Sequence, residues 1–211
     1  MRLERFFGTE AQARVAQAVR DAEARSTGQI VPVVVERSAR YPEARWMGAV
    51  LLAALATAVA EVSRTGLGAT ELPFLQMAAA ALGWLLANQG PVERLLAGRH
   101  AMDEATRNRA LRAFQEHGLH RTEHGTGVLV FASLLEHRAH VIGDHGIHAR
   151  MGDAEWQRAV DLLVQGIAGG DPARGFCDAI ATVGAKLAEH FPRAGAGAGN
   201  ELPDALRTSK D

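Results

Sequence analysis

The sequence predicts a small α/β domain, with a mixed sheet flanked by helices, that is interrupted by an inserted transmembrane hairpin of two helices. Three observations lead to this prediction. Two uncharged apolar runs follow each other closely in the first half of the chain. One β-rich segment precedes these runs and two follow them. Amphipathic helical patterns surround the β-rich segments, as expected for helices that cover a sheet.

Composition narrows the class of protein. The chain has 211 residues, enough for one well-buried domain. Its 23 Lys and Arg are balanced by 24 Asp and Glu. This balance argues against a strongly basic nucleic-acid-binding protein. The only cysteine is Cys177, so neither an intrachain disulfide nor a cysteine-based zinc site is expected.

The two apolar runs are predicted to form the transmembrane hairpin, over residues 46–88. The first run begins at Trp46 and ends at Ala60, and the second begins at Leu72 and ends at Ala87. Each is shorter than the roughly 20 residues that a straight helix needs to cross a bilayer. Neither run, however, has the charged stripe that a helix on a protein surface would show. The alternative is a pair of helices buried in the core of a soluble protein.

The distribution of arginine predicts an orientation in the membrane. Arg37, Arg40 and Arg45 precede the first run, and several more arginines follow the second. The connecting loop, residues 61–71, carries a single cation, Arg64. By the positive-inside rule, the loop faces outward and both soluble parts face the cytoplasm. Residues 1–45 and 89–192 would then form one discontinuous domain at a bacterial inner membrane, with membrane lipid as a partner.

Strands and helices are predicted in the soluble parts. Residues 29–36, 127–133 and 138–143 are the β-rich segments, and the last two are joined so tightly that they should pair antiparallel. Pro32 lacks a backbone donor and is expected at a sheet edge or at a locally unpaired position. Apolar spacing predicts helices over residues 9–26, 91–98, 103–117, 154–168 and 172–190, with Thr9, Asp153 and Asp171 at their N-termini.

The tail, residues 193–211, contains the sequence AGAGAG and no hydrophobic periodicity. It is predicted to be disordered.

Five short motifs follow one another along the chain. They are DAEARSTGQI at residues 21–30, GTGVLV at 125–130, RAHVIGDHGI at 138–147, MGD at 151–153 and GDPARG at 170–175. Together they resemble the TPM-domain family. This family groups a thylakoid lumen phosphatase and photosystem II repair factor, an acetylcholine-receptor regulator and many bacterial membrane-anchored proteins. The resemblance implies the TPM fold. It also implies either regulation of membrane proteins or hydrolysis of phosphate esters.

The sequence departs from the family pattern in three places, one of which is Thr126 at a position where Asn is frequent. The membrane hairpin interrupts the domain after its first strand, whereas many relatives carry an export signal and a C-terminal anchor. Ile147 and His148 stand where Leu and Glu are common. This exchange removes a carboxylate that could have served as a cation ligand.

A histidine-rich stretch is the candidate metal site. His137, His140, Asp144, His145 and His148 lie within twelve residues, on the predicted hairpin and the turn beyond it. Imidazole and carboxylate at this density could hold a divalent metal such as Zn, Mn or Ca. The spacing matches no standard zinc signature. The alternative is a solvated polar rim on the exposed face of an edge hairpin.

The candidate catalytic residues are Asp144, Asp153 and Arg138. The carboxylates lie where loops meet helices, and the guanidinium could stabilise a phosphoryl oxygen. Helix capping is the alternative role for Asp153. Cys177 lies in an apolar helix and is interpreted as a small buried hydrophobic residue.

Two functions are therefore expected. The first is a membrane-anchored TPM-like domain that acts as a binding or regulatory module for a membrane-protein partner or as a homo-oligomer. The alternative is a divalent-metal-dependent phosphatase that acts on phosphate esters. The first needs no catalytic constellation, and the sequence shows none.

Overall fold

The structure is a computed structural model that describes residues 3–63, 66–68, 70–122, 125–148, 150–193 and 203–209. The helices are α1 (Leu3–Phe6), α2 (Thr9–Glu23), α3 (Pro42–Val62), α4 (Leu72–Leu86), α5 (Gly90–Ala97), α6 (Arg99–Glu116), α7 (His145–His148), α8 (Asp153–Ala168) and α9 (Pro172–His190). The strands are β1 (Gln29–Val35), β2 (Gly127–Ser133), β3 (Arg138–Gly143) and β4 (Arg207–Ser209).

The chain divides into two compact units. Residues 1–38 and 103–211 form the first, which we call the sheet unit, and residues 39–102 form the second, the hairpin unit. The sheet unit is discontinuous in sequence, because the hairpin unit is inserted after β1. This is the general organisation that the sequence predicts. The division falls at residues 38 and 103 rather than at the predicted 45 and 89, however, and it assigns α5 to the hairpin unit.

The sheet has the strand order β3-β2-β1-β4. β1 pairs with β2 in parallel, from Gln29 opposite Gly127 to Val35 opposite Ser133. β2 pairs with β3 in the antiparallel direction. The three predicted strands therefore share one sheet, and the predicted antiparallel hairpin is confirmed. All residues of β1 and β2 are buried, as expected for strands covered by helices on both faces.

Each face of the sheet has its own core. On one face, Val128 and Val130 of β2 pack with residues of α2, α8 and α9, among them Val15, Leu163 and Phe176. On the other face, Leu129 and Phe131 pack with Val33 of β1 and with Ala110 and Ala113 of α6. Successive side chains of β2 therefore point to opposite faces of the sheet, and each face has its own apolar core.

Strand β4 corrects the prediction that the tail is disordered. Residues 207–209 pair in parallel with Val33, Val34 and Val35 of β1. Residues 194–202 and 210–211 of the predicted tail lie outside the described residues. Because β4 covers only the end of β1, Pro32 lies beyond the paired stretch on that side. The missing N–H of Pro32 is therefore tolerated in a strand that has neighbours on both sides.

Helix caps follow the prediction at one of three positions. Asp171 accepts a hydrogen bond from the backbone N–H of Arg174 at 3.0 Å and caps α9. The predicted cap at Thr9 is wrong, since Gly8 is the N-cap of α2. Asp153 is likewise the first residue of α8 rather than its cap, which is Gly152.

The hairpin unit exposes most of its large apolar side chains. Helix α3 is long and apolar enough to cross a membrane, and α4 is a shorter apolar helix of 15 residues. In α3 the side chain of Trp46 is 64% exposed, and in α4 that of Phe74 is 72% exposed. The structure therefore does not support the alternative, in which the two runs are helices buried in a core.

The two apolar helices pack directly against each other in the antiparallel direction. A Cβ atom added at Gly48 would lie 2.7 Å from Cβ of Ala87 and 2.8 Å from the carbonyl oxygen of Gly83. These glycines therefore permit a close approach of the two backbones. Further along, the side-chain amide of Gln76 donates a hydrogen bond of 2.9 Å to Oγ1 of Thr57. The only polar side chains of the two apolar runs thus bind each other.

Candidate functional site

A groove of about 820 Å³ runs beside strand β3 in the sheet unit. We call it the β3 groove. It contains four of the seven residues that the sequence nominates for catalysis or metal binding, which are His140, His145, His148 and Asp153. The other three, His137, Arg138 and Asp144, are not among its lining residues. Helix α6 forms one wall, and α7 and α8 form the other.

Asp144 holds the backbone where β3 ends and α7 begins. Its Oδ1 accepts the backbone N–H of His145 at 2.7 Å and lies 2.9 Å from Nδ1 of the same residue. Its Oδ2 is buried and has no hydrogen-bond partner in the described part of the chain. Asp144 therefore acts on the local backbone, while the ring of His145, whose side chain is 89% exposed, extends into solvent.

His140 points to the α6 side of the groove. Its Nε2 lies 3.1 Å from Oγ1 of Thr106, whose hydroxyl donates to the carbonyl oxygen of Asp103. Burial lowers the pKa of His140, although Asp103 acts in the opposite direction. The lowered pKa favours the neutral imidazole at pH 7.

His148 belongs to the opposite wall. Its ring stacks on the indole of Trp156 with ring centroids 6.3 Å apart. Gly143 makes room for this indole, because a Cβ atom there would lie 2.6 Å from Cη2 of Trp156. The His148 ring is thus part of an aromatic wall.

The catalytic hypothesis requires Arg138 in the groove, but Arg138 is not among the lining residues. Its guanidinium forms an ion pair with Asp103. Residues 138 and 140 share one face of β3, but Arg138 lies at the start of the strand and the groove is lined by the five residues that follow. The structure therefore does not bring Arg138 together with Asp144 or Asp153.

The residues present do not fit the predicted metal centre. Among the described residues, no group of three or more His, Cys, Asp or Glu side chains is placed to hold a metal ion. The reason is geometric. His140 faces α6, Asp144 binds the start of α7, and His148 stacks on Trp156. Proximity in sequence does not make these donors converge.

The structure adds residues that the sequence reasoning missed. Arg107 and Leu111 of α6, and Trp156, Gln157 and Val160 of α8, also line the groove. Their helical spacing is the only signal in the sequence, and it does not distinguish a groove wall from a solvated helix face. The groove therefore combines apolar walls, several imidazoles, one guanidinium and one carboxylate.

These features define a small α/β domain with a four-stranded mixed sheet and a groove along its edge strand. Residues 93–186 match the family model of the TPM domain. The family resemblance inferred from the motifs is therefore confirmed over residues 93–186.

One solved structure has a similar fold. It is the NMR structure of the BA42 protein from the psychrophilic bacterium Bizionia argentinensis. The two chains are 18% identical, the TM-score is 0.61, and the match covers 99% of each chain. At this identity, the similarity concerns the fold alone. No curated protein matches the chain.

Proposed function

We propose that this protein is a membrane-anchored TPM domain that binds or regulates a membrane-protein partner from the cytoplasmic side of a bacterial inner membrane. The parallel pairing of β1 with β2 carries the proposal. These strands precede and follow the inserted helices, yet they lie in one sheet. Any crossings of a membrane by the chain between them must therefore be even in number. Two crossings, by α3 and α4, satisfy this requirement.

The surface of the hairpin unit supports insertion into lipid. Its large apolar side chains are exposed to an extent that a protein surface in water rarely shows. Helical hydrogen bonding satisfies the backbone, and a hydrogen bond joins the side chains of Gln76 and Thr57. Helix α4 is short, so flanking residues and local thinning of the bilayer would complete the second span.

The arginine distribution supports the orientation. Arg37, Arg40 and Arg45 precede the first span, and Arg94 and Arg99 follow the second. The positive-inside rule then holds the sheet unit in the cytoplasm. In this position, the β3 groove is available to the cytoplasmic segments of membrane proteins.

The arrangement favours a binding module over the alternative phosphatase. A catalytic zinc site in a protein normally has three protein ligands and an open position. Among the described residues no such group exists, and Arg138 is engaged by Asp103. A binding module needs neither, and the groove offers a walled surface without them.

The proposal is tested by cysteine labelling in a Cys177→Ser background. A cysteine at Leu67, in the loop between the spans, should react with a membrane-impermeant maleimide in intact spheroplasts. A cysteine at Asn108, in α6, should react only after the membrane is permeabilised. Reaction of both sites in intact cells would contradict the orientation. Recovery of the wild-type chain in the soluble fraction without detergent would contradict the anchor.

A matched pair of variants separates insertion from general damage. Leu55 of α3 and Leu111 of α6 are both exposed leucines on helix surfaces. Leu55→Arg should weaken insertion by about 2–3 kcal/mol, the cost of a cation near the centre of a span. Leu111→Arg should leave the protein in the membrane fraction. Equal loss from that fraction would show that the leucine surface of α3 does not face lipid.

A further inference from the structure

The outer edge of β3 has unused hydrogen-bonding capacity. Asp144 donates its backbone N–H to the carbonyl of Gly127, which fixes the pattern of the antiparallel ladder. Residues 138, 140 and 142 therefore direct their backbone groups toward β2, and residues 139, 141 and 143 direct theirs outward. In the described part of the chain, no hydrogen bond to the outward groups of these three residues is formed. They all line the β3 groove.

The groove leaves room for one further strand. Arg107 and Leu111 of α6 stand on one side of this edge, and Trp156 and Val160 of α8 stand on the other. Its volume of about 820 Å³ lies within the range of ligand-binding pockets. An extended segment of five residues, about 17 Å long, would match the five groove residues of β3. A second copy of this sheet would bring its own covering helices against both walls, so a single strand fits better.

Charge and unmatched polar groups indicate the chemistry of the occupant. Arg107 is exposed and forms no ion pair among the described residues. The indole N–H of Trp156, a residue only 8% exposed, has no acceptor in that part of the chain. The guanidinium calls for a carboxylate, and the indole N–H calls for an acceptor that a backbone carbonyl of an added strand can supply. Alternate side chains of an added strand would face α6 and α8 in turn. An acidic side chain on the first face would reach Arg107, and apolar side chains on the second would meet the α8 wall.

We propose that the β3 edge binds an extended acidic peptide segment as a fifth strand of the sheet, lodged between α6 and α8. This inference rests on the proposed function, because the segment would belong to the cytoplasmic part of the membrane-protein partner. Backbone hydrogen bonds to residues 139, 141 and 143 supply affinity, and Arg107 supplies the preference for a carboxylate.

The experiment uses two labelled peptides and the full-length protein in detergent micelles. The acidic probe is fluorescein-VEVTVEV-amide, and the basic probe is fluorescein-VKVTVKV-amide. Val141→Pro removes one outward N–H while leaving the bonds of β3 to β2 intact. Val141→Ala is the matched control, since it shortens the same side chain and keeps the N–H. Circular dichroism and thermal melting verify that each variant folds.

The acidic probe should bind the wild type and Val141→Ala more tightly than the basic probe does. Val141→Pro should weaken binding of the acidic probe about tenfold or more, because it removes a central hydrogen bond of the added strand and displaces the edge of β3. Arg107→Glu should reverse the preference between the probes. Addition of the acidic probe should also slow amide exchange at residues 139, 141 and 143.

Several results would overturn the proposal. One is that folded Val141→Pro and Val141→Ala bind the acidic probe equally. Another is that the wild type binds neither probe at concentrations up to about 1 mM. Protection of the β3 amides that depends on protein concentration without peptide would instead identify a second copy as the occupant. Because the assay needs no bilayer, its failure leaves the labelling test intact, and failure of the labelling test leaves the peptide result intact.

Discussion

A buried carboxyl group, Glu23, closes the end of α2 against the sheet. Its side chain accepts the backbone N–H of Ile30 at 2.7 Å, and the residue is only 7% exposed. Burial raises the pKa of Glu23 to about 7, and the nearby carboxylate of Asp204 acts in the same direction. The backbone hydrogen bond to Ile30 opposes this rise. Near neutral pH, the folded protein therefore holds a proton that the unfolded chain would release.

The first prediction follows from this proton. A raised folded pKa means that stability from Glu23 is full below the unfolded pKa, near 4.5, and is lost as pH rises toward about 7. The loss should be on the order of 3 kcal/mol at most. Glu23→Gln keeps a side-chain acceptor for Ile30 and cannot ionise. Melting of the two proteins from pH 5 to 8 should show a fall in the wild type that the variant lacks. Parallel pH profiles would contradict this account.

Two glycines set the distance between α8 and α9. A Cβ atom at Gly166 would lie 2.6 Å from Cα of Gly175 and 2.8 Å from its backbone nitrogen. Because the obstructing atoms are backbone, they can move only if the helices separate. The close packing of α8 and α9 therefore requires residues without a side chain at positions 166 and 175.

The second prediction concerns this contact. Gly166→Ala should lower the free energy of unfolding by about 1–3 kcal/mol through overpacking, despite the better helix propensity of alanine. Gln165→Ala is the control, since Gln165 is an exposed residue of the same helix and already carries a Cβ atom. Denaturant unfolding of both variants measures the difference. A Gly166 variant no less stable than the control would show that the helices can move apart without cost.

At the scale of elements, the short strand β4 is attached by side chains as well as by its ladder. Nδ1 of His117, at the end of α6, accepts a hydrogen bond of 2.6 Å from the guanidinium of Arg207. Burial lowers the pKa of His117, and the positive charge of Arg207 lowers it further. Protonation would replace the acceptor with a donor and place two cations together.

The third prediction is that β4 detaches in mild acid. A lowered folded pKa means that stability from His117 is present above the unfolded pKa of 6.5 and is lost as pH falls through the folded value. Amide exchange in Arg207–Ser209, corrected for intrinsic rates, should accelerate below pH 6.5 more than exchange in β2. His117→Gln keeps an acceptor that does not titrate and should remove the effect. Acceleration that persists in this variant would exclude His117 as its cause.

At the scale of the whole molecule, the hairpin unit is an insertion with closely spaced ends. The backbone N–H of Ser38 donates to Oε1 of Glu136 at 2.9 Å, and Asp103 pairs with Arg138. Glu136 and Arg138 are two residues apart. The points where the chain leaves and re-enters the sheet unit are therefore close together, so a short linker can join them.

The fourth prediction follows from these ends. Replacing residues 39–102 with a short Gly-Ser linker should give a soluble protein, since the sheet unit has its own two apolar cores. Solubility without detergent, a cooperative melt and the circular dichroism of a mixed α/β fold are the measurements. An insoluble or non-cooperative product would show that the sheet unit depends on the hairpin. Replacing residues 66–68 alone is the control, and that protein should remain in the membrane fraction.

The sequence by itself determined the local elements of this protein. Continuous β-rich apolar runs predict β1 and β2 and alternation predicts β3, each to within a residue, and a period of 3.6 predicts most helices to within a few residues. These patterns work because β1 and β2 are buried on both faces and the long helices on one. The absence of any charge between Trp46 and Ala60 similarly predicts an apolar helix, since that property depends on composition alone.

Only the tertiary structure decided which residues meet. Strand β4 has three residues and no apolar alternation, so its order comes from β1 and from His117, which is 90 residues away in the sequence. The histidines are close in sequence, yet alternation along β3 and the start of α7 direct them to different walls. Arg107 and Trp156 line one groove because α6 and α8 flank the same strand. Such meetings depend on the packing of elements distant in the chain, which no local pattern of residues encodes.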